Sequence, residues 1–166
     1  MGTPLENSMI VGRKEAMVAF LRLHSEYIAE AFTLAVSNKQ PYCWRAAWLL
    51  QSELSKNDER LVPHINSLIK ALPEKKDGHQ RELLKLISLA NWDEEMEGEL
   101  FELCQHIWVQ LQHSASLRVT AMEVLLRITH KYPELKQELS LLLEDEYLET
   151  LSPGIKNSLM KKLQKK

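Results

Sequence analysis

At 166 residues, 45% hydrophobic and 27% charged, the chain is long enough to bury a core without disulfides or a structural metal, and too apolar to stay disordered. A formal net charge of −2 supplies no overall field that would draw it onto nucleic acid or an anionic membrane. The only cysteines, Cys43 and Cys104, sit among apolar neighbours, which fits a reduced, cytoplasmic chain without a disulfide framework.

Met9, Ile10 and Val11 pass directly into Gly12, Arg13, Lys14 and Glu15, so no secretory leader is expected. Residues 1–12 are expected to be a flexible segment preceding the rest of a single domain over 1–166. Charged residues interrupt every apolar stretch before the ~20 residues of a membrane span. Pro41, Pro63, Pro73, Pro133 and Pro153 fall between apolar-periodic segments, where a missing backbone N–H costs nothing in the first turn of a helix. Helices are predicted over 13–23, 25–37, 42–56, 59–72, 79–91, 94–112, 116–131, 133–145 and 153–164, about nine in all, and no segment reads as a strand.

Within 42–56, the run Ala46, Ala47, Trp48, Leu49, Leu50 is apolar over much of the circumference, as suits a helix with neighbours on two sides. In 59–72, Leu61, Val62, Ile65, Leu68, Ile69 and Leu72 recur at helical spacing on one side and leave Ser67 and Lys70 opposite. The segment 79–91 is broadly apolar again through Leu83, Leu84, Leu86, Ile87, Leu89 and Ala90. In 94–112, Met96, Leu100, Phe101, Cys104, Ile107, Trp108 and Leu111 share a side, with Asp93 placed as N-cap and Glu94 and Glu95 against the positive helix end.

This alternation of broad and one-sided helices has a period. Arg45, Arg81 and Arg118 open successive broad helices 36 and 37 residues apart, and Lys156 continues the series. Leu117, Arg118, Ala121, Met122 and Leu125 are echoed by Ile155, Lys156, Leu159, Met160 and Leu163. The stretch Trp44-Arg45-Ala46-Ala47-Trp48-Leu49-Leu50, followed by Leu61-Val62-Pro63-His64-Ile65-Asn66-Ser67-Leu68-Ile69, resembles a unit of the HEAT and armadillo class of α-solenoids. Arg118 to Leu143 is similar; the unit between them departs in lacking a proline before its second helix, and residues 1–40 match only as a generic helix pair. The resemblance covers about residues 42–164. It implies an all-α fold, a short right-handed superhelix of about four antiparallel helix pairs whose second helices line a concave surface. That surface usually binds a protein or, in some families, nucleic acid.

Catalytic, metal and nucleotide patterns are absent from the sequence. His106 and His113 share a helix face but stand ~10.5 Å apart along the axis, too far for one zinc ion; His24, His64, His79 and His130 are scattered. No Gly-rich elbow or phosphate loop is present, and no cofactor is expected. The alternative is a glycosylase similar to the DNA-alkylation-repair enzymes, which are also built of HEAT-like pairs and use aromatics and a carboxylate in a basic cleft. Trp44, Trp48, Trp92 and Trp108 could supply the aromatics, but Trp48 and Trp108 lie in apolar faces, and Asp58, Asp77, Asp93 and Asp145 read as helix-end or loop residues. The lysines Lys156, Lys161, Lys162, Lys165 and Lys166 follow an acidic stretch (Glu144, Asp145, Glu146, Glu149) and suit a solvated terminal cap.

A non-catalytic protein-binding module is therefore the expected function. If the second helices line the concave side, they present Ser67 and Lys70, then Glu102, His106, Val109 and His113, then Gln137 and Leu141. Val109 and Leu141 would be apolar anchors for a partner helix or extended peptide, with the histidines as polar contacts.

Overall fold

The structure is a computed structural model that describes residues 1–165; Lys166, the last member of the lysine cluster, lies outside the described residues. Every regular element among the described residues is helical. The chain divides into two compact units, Met1–Asn91 and Trp92–Lys166, where the sequence suggests one domain.

The first unit contains α1 (Pro4–Val11), α2 (Lys14–Leu23), α3 (Ile28–Val36), α4 (Tyr42–Glu53), α5 (Ile65–Ala71) and α6 (Asp77–Ile87). Helix α4 is central: α3, α6, α2 and α1 all pack against it. This explains its broad apolar surface, with Cys43, Ala46, Ala47, Leu49 and Leu50 all fully buried. Helix α1 replaces the flexible segment expected over 1–12. Thr3 and Glu6 close a capping box around its first turn, and Pro4 occupies the first helical position. Leu5 and Met9 are buried, and Arg45 Nη1 donates to the Met9 carbonyl at 2.7 Å.

The single helix expected over 59–72 is three pieces. A 3-10 turn, Glu59–His64, precedes α5, and another, Leu72–Glu74, follows it. Pro63 lacks an N–H and Pro73 blocks continuation. Asp58 caps the first turn by accepting the Arg60 amide at 3.1 Å. Because a 3-10 turn advances by three residues and not 3.6, the face drifts: Leu61, Ile65, Leu68, Ile69 and Leu72 are buried, whereas Val62 points to solvent.

The second unit contains α7 (Glu94–Val109), α8 (Ala115–Lys131), α9 (Lys136–Leu142), α10 (Asp145–Leu148) and α11 (Pro153–Gln164). Helix α8 packs along α7, and α9 against both. Asp93 caps α7 by accepting the Met96 amide at 2.9 Å. The helix ends at Val109, short of the expected 112, because Gln110 turns extended, which leaves Leu111 exposed. Pro133 opens a 3-10 turn, Pro133–Leu135, so α9 starts later than expected. Eleven α-helices thus stand among the described residues where about nine are predicted from periodicity, the additions being α1 and α10. Both cysteines are free and buried, and burial pushes the Cys104 thiol well above its usual range.

Candidate functional site

The expected surface residues are spread over both units. Ser67 and Lys70 are exposed on α5 of the first unit. In the second, Glu102 and His106 are exposed on α7, Val109 is half-buried at its last residue, and His113 is half-buried in the loop before α8. Gln137 and Leu141 are exposed on α9. Trp108 Nε1 donates to the Leu142 carbonyl at 2.6 Å, so Val109 and Leu141 each neighbour the bond that joins α7 to α9. His106 is engaged within its own helix end, its Nε2 2.5 Å from Gln110 Nε2.

The concavity beside these residues lies farther back along α7. A groove of about 420 Å³ runs between the start of α7, the end of α8 and the Pro133–Leu135 turn. Phe101, Ile128 and Leu135 give it an apolar floor, Glu94, Glu97, Glu102 and Glu134 surround it, and Gly98 opens one wall. Glu102 is the member that sequence reasoning places on a binding surface. Phe101 reads from periodicity as core, but the structure half-exposes it.

Glu97 is the buried member of the acidic set. It accepts Lys131 Nζ at 2.8 and 3.0 Å and the Tyr132 hydroxyl at 2.6 Å. Burial alone would raise its pKa, but the hydrogen bonds from Lys131 and Tyr132 outweigh that, and its carboxyl lies below the ordinary range. Glu94, Glu102 and Glu134 are exposed.

Other candidate chemistry is placed in packing. His64 stacks on Phe32 with ring centroids 3.9 Å apart. His79 is buried with Nε2 2.7 Å from the Ala35 carbonyl; a carbonyl only accepts, so that nitrogen carries the proton. Trp108 is fully buried and Trp92 nearly so, whereas Trp48 is half-buried and Trp44 exposed. Among the described residues no group of three His, Cys, Asp or Glu is arranged to hold a metal ion, and no helix is long and apolar enough to cross a membrane.

The repeating arginines, the central broad helices and the paired packing agree with a family model described as a HEAT repeat domain, which matches residues 3–166. The chain belongs to the HEAT repeat family. No curated protein and no solved structure matches it. A HEAT repeat domain is a helical-repeat module, so the question its structure poses is which surface it offers.

The titrating groups of this HEAT repeat domain predict its acid response. The hydrogen bond from Lys39 holds the Glu6 carboxyl low, Arg60 holds that of Asp58 low, and burial pushes His64 and His79 below the usual histidine value. In every case the native state gives up its proton more readily than the unfolded chain, so on acidification the unfolded state protonates first. On the acid side of about pH 7, stability should fall as pH drops through ~6.5 and fall again below ~4.5 as the unfolded carboxyls protonate. Denaturant unfolding across this range should show both steps. Glu97→Gln should flatten the lower one.

Proposed function

We propose that this HEAT repeat domain is a non-catalytic protein-interaction module that receives a basic amphipathic helix of a partner protein in the groove beside α7. The observation that carries the reading is the pairing of charge and shape: Glu94, Glu97, Glu102 and Glu134 surround the apolar floor of Phe101, Ile128 and Leu135, and none of the described lining residues is a cation. Lys131 offsets Glu97, which leaves the exposed carboxylates to meet the partner's lysines and arginines. Apolar side chains at successive turns of the partner would enter the floor. Val109 and Leu141 extend the apolar contact toward the far end of α7 and α9, with His106, His113 and Gln137 as polar edge. Ser67 and Lys70, in the other unit, have no part in it.

The test uses a labelled peptide with leucine and lysine at helical spacing, and a counterpart with glutamate for lysine. The basic peptide should bind and the acidic one should not. The triple variant Glu94→Gln, Glu102→Gln, Glu134→Gln should weaken binding about tenfold or more at low salt, with less effect as salt rises. Gly98 offers a second, steric variant: a Cβ built there meets nothing within 4 Å. Gly98→Leu should therefore stabilise α7 by up to about 1 kcal/mol through helix propensity while blocking the groove. Equal binding of both peptides, or basic-peptide binding unchanged by either variant, would remove the groove as the docking site.

A further inference from the structure

The first unit holds a second concavity whose chemistry is the reverse of the groove's. A cleft of about 590 Å³ opens where the end of α1 and the start of α2 face α4 and α6, within the ~300–1,000 Å³ usual for small-molecule sites. Arg13, Lys14, Arg45, Arg81 and Lys85 line it, together with Trp44, Trp48 and a single carboxylate, Glu82. Three features there ask for different parts of one ligand.

An anion is invited by the start of α2. Its N-cap is Arg13, which makes no side-chain capping bond, so the first-turn amides have no acceptor from the cap and carry the positive end of a ten-residue helix. Arg13 and Lys14 are both exposed at that end. The helix end alone would prove little, but Glu82 adds an independent demand. It is only 4% exposed; its Oε1 receives Arg81 Nε at 3.2 Å, and its Oε2 is buried without a hydrogen-bond partner. A buried carboxylate oxygen without a donor is costly, and a ligand N–H reaching into the cleft would satisfy it. Trp44 and Trp48, one turn apart on α4, supply aromatic walls between these two poles. Lys14 Nζ lies 5.4 Å from the Trp48 ring centroid and the Arg45 guanidinium 5.4 Å from that of Trp44, so the rings already sit among cations.

A simple anion would satisfy the arginines and lysines and leave Glu82 Oε2 unmatched. An acidic side chain would be repelled by Glu82. A nucleotide has all three parts: phosphate, a flat base, and N–H groups on the base edge. Guanine has two adjacent donors on one edge, N1–H and the exocyclic amine, which a carboxylate accepts. We propose that this cleft binds a guanine mononucleotide, with phosphate at the α2 amides, Arg13 and Lys14, the base against the tryptophans, and its donor edge on Glu82. The site is separate from the groove beside α7 and stands or falls without it.

The test titrates the intact protein with GMP, UMP and inorganic phosphate by calorimetry, and by tryptophan fluorescence excited at the red edge of indole absorption. GMP should quench and saturate, binding about tenfold or more tighter than UMP and tighter still than phosphate. Glu82→Gln should reduce GMP to the level of UMP and leave phosphate unchanged. Arg13→Gln with Lys14→Gln, both at exposed positions, should weaken every phosphate-bearing ligand and keeps the test open should the buried substitution fail to fold. Equal affinity for all three ligands would reduce the cleft to a general anion site, and binding of a glutamate-rich peptide in place of GMP would hand it to a protein ligand. Either result, or absence of heat and quenching with GMP, overturns the proposal.

Discussion

Arg118→Ala is expected to destabilise the second unit by about 3–5 kcal/mol, a large share of the ~5–15 kcal/mol that holds a domain together. The side chain is 1% exposed. Its Nε donates to the Trp108 carbonyl at 2.8 Å, Nη1 to Thr150 Oγ1 at 2.8 Å and Nη2 to the Tyr147 carbonyl at 2.6 Å. The guanidinium also lies 4.5 Å from the Trp108 ring centroid. One planar fork thus ties the end of α7 and the segment around α10 to the start of α8. Truncation orphans two carbonyls, each worth about 1–3 kcal/mol when left buried and unpaired, and empties the space beside Trp108. Arg118→Lys keeps the charge, but a point ammonium cannot serve three acceptors in one plane, so its loss should be intermediate. Denaturant unfolding gives the magnitudes, and amide exchange over residues 92–165 locates them. An alanine variant within about 1 kcal/mol of the parent would show that water replaces the fork.

The same arginine shows what the sequence makes legible and what it hides. Its spacing from Arg81 and Arg45 marks the repeat, but spacing does not reveal the role. In the structure Arg45 and Arg118 each reach a carbonyl in the last turn of an earlier helix, Met9 in α1 and Trp108 in α7. There a cation meets the negative helix end. Arg81, at the corresponding place in the middle unit, pairs with its neighbour Glu82.

Helix α1 escapes an amphipathicity search because only Leu5, Glu6 and Met9 are buried in its eight residues. Its signature is the cap, Thr3 with Glu6 three residues on, which is readable in sequence. Helix α10, four residues long, is below what any periodicity can register. The acidic groove is the harder case. Periodicity places Phe101 with the core residues, but whether it is covered depends on where α8 stops and where Pro133 turns the chain. Those are tertiary outcomes that a one-dimensional pattern does not encode. Val109 and Leu141 show the converse: Leu141 is exposed as expected, whereas Val109 is already half-covered at the helix end.

Ile65→Asp carries the largest expected loss in the first unit. Ile65 is 2% exposed and begins α5, where it is buried along with Leu61, Leu68, Ile69 and Leu72. Truncation to alanine removes the transfer free energy of the lost methyl groups and leaves a cavity, about 2–5 kcal/mol. Aspartate adds the burial of a carboxylate with no partner, which the protein escapes only by holding it protonated or by opening locally. That distinction has a sign that can be measured. A buried aspartate has its folded pKa raised above the unfolded ~3.9, so the native state binds the extra proton and the penalty shrinks as pH falls from 7 toward 5. The parent loses stability over part of that range through His64 and His79, so the quantity to follow is the difference between Ile65→Asp and Ile65→Ala, in which the histidines cancel. Aspartate should be the worse variant at pH 7, with the gap closing on acidification. A gap that stays constant with pH would mean that the substituted side chain reaches water, and that α5 is not clamped against its neighbours as the structure has it.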